Sequence, residues 1–178
     1  MPNRLHLTLI RMHAMDTSLC LLVNRSSRFW PVLRLFRAVS RLGDGVFWYA
    51  LMLGLLLVQG EAAYAVVLQM LLAGGSGTLI YKAIKGKTLR PRPFEVHQWI
   101  SIGIAPLDRF SFPSGHTLHA VAFSVVAVSY LPVLAWLLVP FACLVGASRV
   151  VLGLHYPSDV VAGAMIGFIV AWSVLQFF

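Results

Sequence analysis

Long stretches without charge constrain this chain most. Residues 110–148 and 160–178 contain no Asp, Glu, Lys or Arg, and residues 45–81 contain only Glu61. A helix that crosses a bilayer needs about 20 apolar residues, so the two longer stretches hold two crossings each and the shorter stretch holds one. We predict an all-α integral membrane bundle of about five spanning helices, at residues 44–60, 62–82, 114–131, 133–152 and 157–178.

The overall composition excludes two other classes of protein. The chain is 59% hydrophobic and only 11% charged, whereas soluble domains are about 45–50% apolar and about 25% charged. A soluble globular domain and a disordered tail are therefore excluded. The net charge of +8 is compatible with nucleic acid, anionic lipid headgroups or a phosphate site. Cys20 and Cys143 lie far apart in apolar surroundings, without the spacing of a zinc site.

The first 43 residues form a predicted arm before a catalytic bundle at residues 44–178, and both belong to one domain. In residues 15–41, apolar side chains alternate with arginines at rough helical spacing. This pattern favours one or two amphipathic helices in the membrane interface. A surface helix packed on the bundle is the alternative. The scattered arginines leave no clean hydrophobic region, so a cleavable secretory signal is not expected.

Five crossings divide the connections between two faces of the membrane. The turns at 60–61 and 131–132 share one face, whereas the arm, loop 82–113 and loop 149–156 share the other. All 14 Lys and Arg residues fall on the second face. The positive-inside rule would make that face cytoplasmic, although cations that serve chemistry bias the count.

Two features of loop 82–113 indicate anion binding. Five cations lie in residues 82–92, and such juxtamembrane clusters alone bind lipid headgroups or set topology. Phe112-Pro113-Ser114-Gly115-His116 then stands at the mouth of the third predicted span. The free backbone N–H groups of a helix N-terminus hold phosphate oxygens, helped by the helix dipole.

A third group joins them on the same face. Ser148 and Arg149 end the fourth predicted span, and His155 and Asp159 lead into the fifth. A carboxylate four residues after a histidine can hold an imidazole N–H and fix its tautomer. An arginine at membrane depth is costly and usually functional. Three separate segments thus bring cations, two histidines and a carboxylate together.

These segments resemble the three signature motifs of the type 2 phosphatidic acid phosphatase (PAP2) superfamily. The motifs are Lys-x6-Arg-Pro, Pro-Ser-Gly-His and Ser-Arg-x5-His-x3-Asp. Here they are residues 85–93, 113–116 and 148–159, with no departure at a signature position. The resemblance covers residues 85–159 in the expected order, whereas the first 80 residues match only in general layout.

The resemblance implies a role for each motif residue. His155 attacks phosphorus to form a phosphohistidine, Asp159 orients His155, and His116 protonates the leaving group. The predicted phosphate ligands are Lys85, Arg92, Arg149, the Ser114 side chain and the Gly115 backbone N–H. Fixed cations stabilise the charge of a transferring phosphoryl group, so we expect no metal and no other cofactor.

We therefore expect a metal-independent lipid phosphatase in a multi-pass membrane protein. Its partners would be a phosphorylated lipid and the bilayer, not nucleic acid. Candidate substrates are undecaprenyl diphosphate, phosphatidic acid and phosphatidylglycerol phosphate. The compact layout resembles short bacterial undecaprenyl-diphosphatases, which puts that substrate first. Because bacterial lipid phosphatases of this family usually work on the periplasmic face, we expect the site there, against the arginine count.

Two alternatives use the same residues. A phosphotransferase would pass the phosphohistidine phosphate to another lipid instead of water. A non-enzymatic membrane protein that binds or transports anions would need the cations, but neither a nucleophile nor an acid. His116, His155 and Asp159 argue against the second.

Several residues outside the motifs receive simpler interpretations. Lys82, Lys87 and Arg90 are out of register with the first motif and are predicted to be headgroup contacts or solvated charges. His97, Asp108 and Arg109 either touch a headgroup or are polar simply because the loop is exposed to water. His119 either lines the pocket or only packs against neighbouring helices. Asp44 is expected to pair with Arg41. Trp30, Trp48 and Trp99 are predicted interface anchors, and the glycines of residues 74–77 are predicted to allow close helix packing.

Overall fold

The computed structural model describes residues 4–177, with side chains from residue 11 onward. Residues 1–3 of the predicted arm and residue 178 of the predicted last helix lie outside the described residues. The described chain is all-α, as predicted. In chain order its helices are α1 Arg4–Asn24, α2 Trp30–Arg41, α3 Phe47–Gln59, α4 Tyr64–Thr88, α5 Pro93–Val96, α6 Gly115–Tyr130, α7 Ala135–Val151 and α8 Pro157–Phe177.

The predicted spans correspond to α3, α4, α6, α7 and α8. Three stretches are long and apolar enough to cross a membrane, namely Trp30–Val96, Pro132–Val151 and Pro157–Phe177. The first of these stretches contains α2, α3, α4 and α5. The shortest of the five, α3, has 13 residues and rises about 20 Å at about 1.5 Å per residue. The predicted membrane bundle is thus confirmed in its fold class.

Helix α6 lies at the centre of the bundle, where it packs against α4, α7 and α8. Its contact with α8 requires glycine. A Cβ at Gly163 would lie 2.4 Å from the Ser114 carbonyl oxygen, and a Cβ at Gly167 would lie 2.3 Å from the Leu118 carbonyl oxygen. Because atoms cannot approach so closely, these two glycines let α8 touch the α6 backbone directly.

Local signals explain where the helices of the motifs begin. Ser114 is the N-cap of α6, and its side chain accepts a hydrogen bond from the Thr117 backbone N–H. Pro157 occupies the first position of α8, where its missing N–H costs nothing. Gly153 has a φ of +73°, which allows the tight turn between α7 and α8. The three motifs meet at this end of the bundle.

The helices of the arm pack on the bundle. Helix α1 contacts α7 and α8, and α2 contacts α7. Helix α1 begins at Arg4, well before the start predicted from the sequence. Whether α2 also lies in the membrane interface, and the division of the chain into arm and bundle, stay predictions.

Two minor expectations have different outcomes. Trp30 and Trp99 are exposed, but Trp48 is only 1% exposed and packs against Phe123 and Phe141. The prediction that Trp48 is an interface anchor is therefore wrong. Close packing at the glycines is confirmed for Gly74, because a Cβ there would lie 2.9 Å from the Phe123 ring.

Candidate active site

The predicted motif residues meet around one cavity of about 460 Å³. Those that line it are Lys85, Arg92, Gly115, His116, Arg149 and His155. Ser114 and Asp159 lie behind this surface and are fully buried. The structure therefore brings together residues that are up to 74 positions apart, counted from 85 to 159, at the mouth of α6.

His155 lies in the turn between α7 and α8, and its two ring nitrogens face different groups. Its Nδ1 is 3.6 Å from Asp159 Oδ2, which is too long for a hydrogen bond. Its Nε2 is 3.4 Å from Arg92 Nη1. His155 is 1% exposed, and its backbone N–H donates to the Arg149 carbonyl. Nδ1 thus faces the carboxylate while Nε2 faces the cations.

Burial and nearby charge keep His155 neutral. Burial lowers the pKa of His155 well below its ordinary value, and the positive charges of Arg149, Arg92 and Lys85 lower it further. A neutral imidazole whose Nδ1 carries the proton leaves a lone pair on Nε2. With its proton on Nδ1, a neutral His155 would present the lone pair that a nucleophile requires.

The two cations of the first motif share one carboxylate. Lys85 Nζ lies 2.7 Å from Asp108 Oδ2, and Arg92 Nη2 lies 2.7 Å from Asp108 Oδ1. Arg92 Nη1 also donates to the Leu154 carbonyl. Burial opposes ionisation of Asp108, but the hydrogen bond and charge of Lys85, with those of Arg92, lower its pKa below the ordinary value. Asp108 thus pairs with two of the three predicted phosphate-binding cations.

Arg149 is the third cation and has spare hydrogen-bonding capacity. It is 2% exposed, and its Nη1 donates to Ser40 Oγ of α2 at 2.5 Å. Its Nε has no partner among the described residues. A buried N–H group without a partner is costly, so an anion in the cavity would satisfy it.

The N-terminus of α6 carries the second histidine. His116 Nε2 hydrogen-bonds Asp44 Oδ1, and Asp44 lies between α2 and α3. The predicted pairing of Asp44 with Arg41 is therefore wrong. Ser114 Oγ hydrogen-bonds Thr117 Oγ1 at 3.0 Å, so its predicted contact with phosphate stays a prediction. His119 lines the cavity and hydrogen-bonds Thr78.

The other half of the cavity is apolar. Its wall comes from α3, α4 and α6 and consists of Trp48, Tyr49, Met52, Leu71, Phe123 and the glycines at 74 and 75. A Cβ at Gly75 would have no atom within 4 Å, so this glycine leaves open space. A charged end and an apolar end in one cavity suit an amphiphile with an anionic head.

Comparison with known proteins identifies the family. The sequence model of the PAP2 superfamily matches residues 62–178, which is more than half of the chain. The chain belongs to the PAP2 superfamily.

The names of relatives within the PAP2 superfamily refer to different lipid substrates. The chain is 33% identical to undecaprenyl-diphosphatase BcrC of Bacillus subtilis, over 60% of this chain and 54% of that protein. It thus spans about half the length of this curated relative. The crystal structure of Aquifex aeolicus LpxE superposes with a TM-score of 0.75 at 28% identity, covering 90% of this chain and 94% of that one.

A further solved structure belongs to the same superfamily. It is the first transmembrane PAP2-type phosphatidylglycerolphosphate phosphatase from Bacillus subtilis, with a TM-score of 0.70 and 25% identity. The alignment covers 96% of this chain and 94% of that one. These two structures support both the fold and the multi-pass membrane character of this PAP2 protein.

One cation of this PAP2 protein differs from expectation. Arg90 is not a headgroup contact or a solvated charge, because it forms ion pairs with Asp16 and Asp159 at 2.6 Å each. Asp16 lies on α1 and is 7% exposed. The sequence indicated no partner for Asp16 or Ser40, and the partner predicted for Asp44 was the wrong one. A lone Asp or Ser in a mixed helix carries no signal for a partner dozens of residues away.

Proposed function

We propose that this protein is a lipid phosphatase that hydrolyses a phosphate monoester or diphosphate through a phosphohistidine at His155. One observation carries the proposal: His155, Arg92 and Arg149 line one cavity whose other half is apolar, and His155 Nε2 lies 3.4 Å from Arg92 Nη1. The names of its PAP2 relatives support the class of reaction.

The proposed reaction begins when the substrate phosphate replaces Asp108 on Lys85 and Arg92. The lone pair of His155 Nε2 attacks phosphorus, and the bond from phosphorus to the leaving oxygen breaks. The electron pair of that bond goes to the leaving oxygen, which takes a proton from His116. Lys85, Arg92 and Arg149 stabilise the charge that spreads over the non-bridging oxygens.

Water completes the cycle. His116, now neutral, accepts a proton from a water molecule whose oxygen attacks phosphorus. The bond between phosphorus and Nε2 breaks, its electron pair returns to His155, and inorganic phosphate leaves. The three cations neutralise the phosphate, so the proposed reaction needs no metal ion.

Among candidate substrates we put undecaprenyl diphosphate first, followed by phosphatidic acid and phosphatidylglycerol phosphate. Two observations support this order. A relative that carries the name undecaprenyl-diphosphatase is 33% identical over 106 residues. The apolar half of the cavity opens beside Gly75, where the chain has no side chain to exclude a tail.

The test is phosphate release from each lipid in detergent micelles with a chelator present. We expect His155→Ala to reduce the rate by roughly 10³-fold or more. His97→Ala is the matched control, because His97 does not line the cavity, and it should keep most of the activity. Unchanged activity in His155→Ala would exclude the mechanism, and loss of activity with chelator alone would exclude metal independence.

The covalent intermediate has its own test. After rapid mixing with a lipid labelled in the phosphate to be released, the protein should carry label that survives alkali and is lost in acid, as phosphohistidine is. His155→Ala should carry none. Label in the variant would place the covalent step on another residue.

We also propose that the catalytic end faces the periplasm. Lys85, Arg92 and Arg149 line the cavity and Arg90 pairs with Asp16 and Asp159, so these four cations serve the site and do not report topology. Trp99 is 82% exposed at this end. Trp99→Cys, with Cys143 changed to Ala, should react with an impermeant maleimide in intact cells. Labelling only after lysis would reverse the orientation.

A further inference from the structure

A buried ion network lies directly behind the His155–Asp159 pair and includes two residues that are not signature positions of the PAP2 motifs. Asp16 comes from α1, and Arg90 comes from the connection between α4 and α5. The side chains of Asp16 and Arg90 are 8% and 22% exposed, and Asp159 is fully buried. Burial at this level makes each charge depend on its partners.

Arg90 divides its guanidinium between two carboxylates. Its Nη1 donates to Asp159 Oδ1 at 2.6 Å and to Ser158 Oγ at 2.8 Å. Its Nη2 donates to Asp16 Oδ2 at 2.6 Å. The guanidinium also lies 4.2 Å from the centre of the Tyr156 ring. Ion pairs on two sides and a ring face fix the position of Arg90.

Asp16 in turn holds the first turn of α8. Its Oδ1 accepts from the Ser158 backbone N–H at 2.9 Å, and its Oδ2 accepts from Ser158 Oγ at 2.5 Å. A carboxylate at a helix N-terminus satisfies a free N–H group and complements the helix dipole. Asp16 thus joins Arg90 to the residue that precedes Asp159.

These contacts assign a separate task to each oxygen of Asp159. Oδ1 accepts from Arg90, whereas Oδ2 accepts from the Tyr156 backbone N–H at 2.9 Å and faces His155 Nδ1. If Arg90 were lost, Oδ1 would be a buried charge with no ionic partner, and the carboxyl group would rotate or take up a proton. Either change would alter the carboxylate charge that faces His155 Nδ1 at 3.6 Å.

We propose that Arg90 and Asp16 are positioning residues for the His155–Asp159 pair, acting through the Oδ1 oxygen of Asp159. This proposal rests on the proposed function for its kinetic consequences. Asp16 precedes residues 62–178, which the family model matches. The catalytic pair of this chain is therefore held from outside the matched region.

The kinetic test uses Arg90→Gln and Asp16→Asn. We expect Arg90→Gln to lower kcat by roughly 10–100-fold with little change in KM, because Arg90 does not line the cavity. Asp16→Asn should lower kcat less, and Arg90→Lys should recover part of the loss by restoring charge. Lys87→Gln, an exposed cation three residues before Arg90, is the matched control and should keep kcat within about twofold.

A double-mutant cycle separates positioning from a general effect on the fold. In an Asp159→Asn background, Arg90→Gln should cause no further loss of kcat. An equal loss in both backgrounds would overturn the proposal, as would a rise in KM at unchanged kcat, which would make Arg90 a headgroup contact.

A spectroscopic arm does not depend on activity. In protein labelled with ¹⁵N-histidine, the His155 signals are identified by their loss in His155→Ala. We expect the neutral tautomer with a proton on Nδ1, and a mixture of tautomers in Arg90→Gln. If the intact protein releases no phosphate from any lipid, the proposed function fails while this arm still decides the positioning role. A His155 spectrum that is the same with and without Arg90 would overturn it.

Discussion

The region matched by the family model and the region before it contribute different things to the site. Residues from 62 onward supply every group of the proposed reaction, including both histidines and all three phosphate-binding cations. The preceding residues contribute hydrogen-bond acceptors. Asp16 binds Arg90, Ser40 binds Arg149 and Asp44 binds His116. The first region thus carries the groups of the proposed chemistry, and the second supplies partners for three of them.

The difference follows from how few acidic residues the chain has. Of its six Asp and Glu residues, four pair with a cation or histidine at this end of the bundle, namely Asp16, Asp44, Asp108 and Asp159. Buried cations require acceptors, and the apolar helices α4, α6 and α7 offer almost none. The arm therefore completes the electrostatics of the site.

The largest contrast should appear between Arg149 and its partner Ser40. Arg149→Ala removes a phosphate ligand, so we expect kcat/KM to fall by roughly 10²–10³-fold. Ser40→Ala removes one hydrogen bond to a charged group, and a loss of about tenfold is expected. Kinetics on undecaprenyl diphosphate in micelles give both values. Equal losses would mean that Ser40 contributes to catalysis as directly as Arg149 does.

Asp44→Asn should have a smaller effect that depends on the leaving group. Asp44 fixes the ring of His116, the proposed proton donor, so we expect kcat to fall by about tenfold for phosphatidic acid, which releases an alkoxide. Undecaprenyl diphosphate releases a phosphate, and this leaving group depends less on protonation than an alkoxide does. Its kcat should therefore fall by less. Comparing the two substrates with Asp44→Asn and Asp44→Glu tests this. The same loss for both lipids would contradict a role through His116.

Asp108 should give an effect of opposite sign. Because Asp108 pairs with Lys85 and Arg92 and would compete with the substrate phosphate for them, Asp108→Asn should lower KM several-fold, about 1 kcal/mol of tighter binding. Inhibition by inorganic phosphate should strengthen in parallel. A raised KM would show that Asp108 organises the two cations for substrate and does not compete with it.

The same division explains what the sequence could predict. The apolar runs predicted the helices, and the motifs predicted that Lys85, His116 and His155 would meet, because each stands at a helix end on one face. For Arg90 the sequence predicts a headgroup contact or a solvated charge, because its actual partners lie 74 positions before it and 69 positions after it. Pairing across such separations depends on how α1 packs against α8, and a single sequence carries no local signal for that.

The smallest effect on activity should come from Asn24, which binds the arm to the bundle without touching the site. Asn24 is 3% exposed, and its side chain donates to the Ser101 and Val151 carbonyls and accepts from the Ser101 N–H, each at 2.9 Å. Asn24→Ala leaves these buried backbone groups unpaired, so the free energy of unfolding should fall by about 1–3 kcal/mol. Thermal unfolding in detergent measures this loss, and kcat per folded molecule should stay the same.

Asn24→Asp keeps the acceptor and the size of the side chain, so it separates the lost donors from lost packing. A lower kcat in Asn24→Ala at a temperature where the variant is fully folded would show that the arm influences the catalytic groups by more than the two contacts from Asp16 and Ser40.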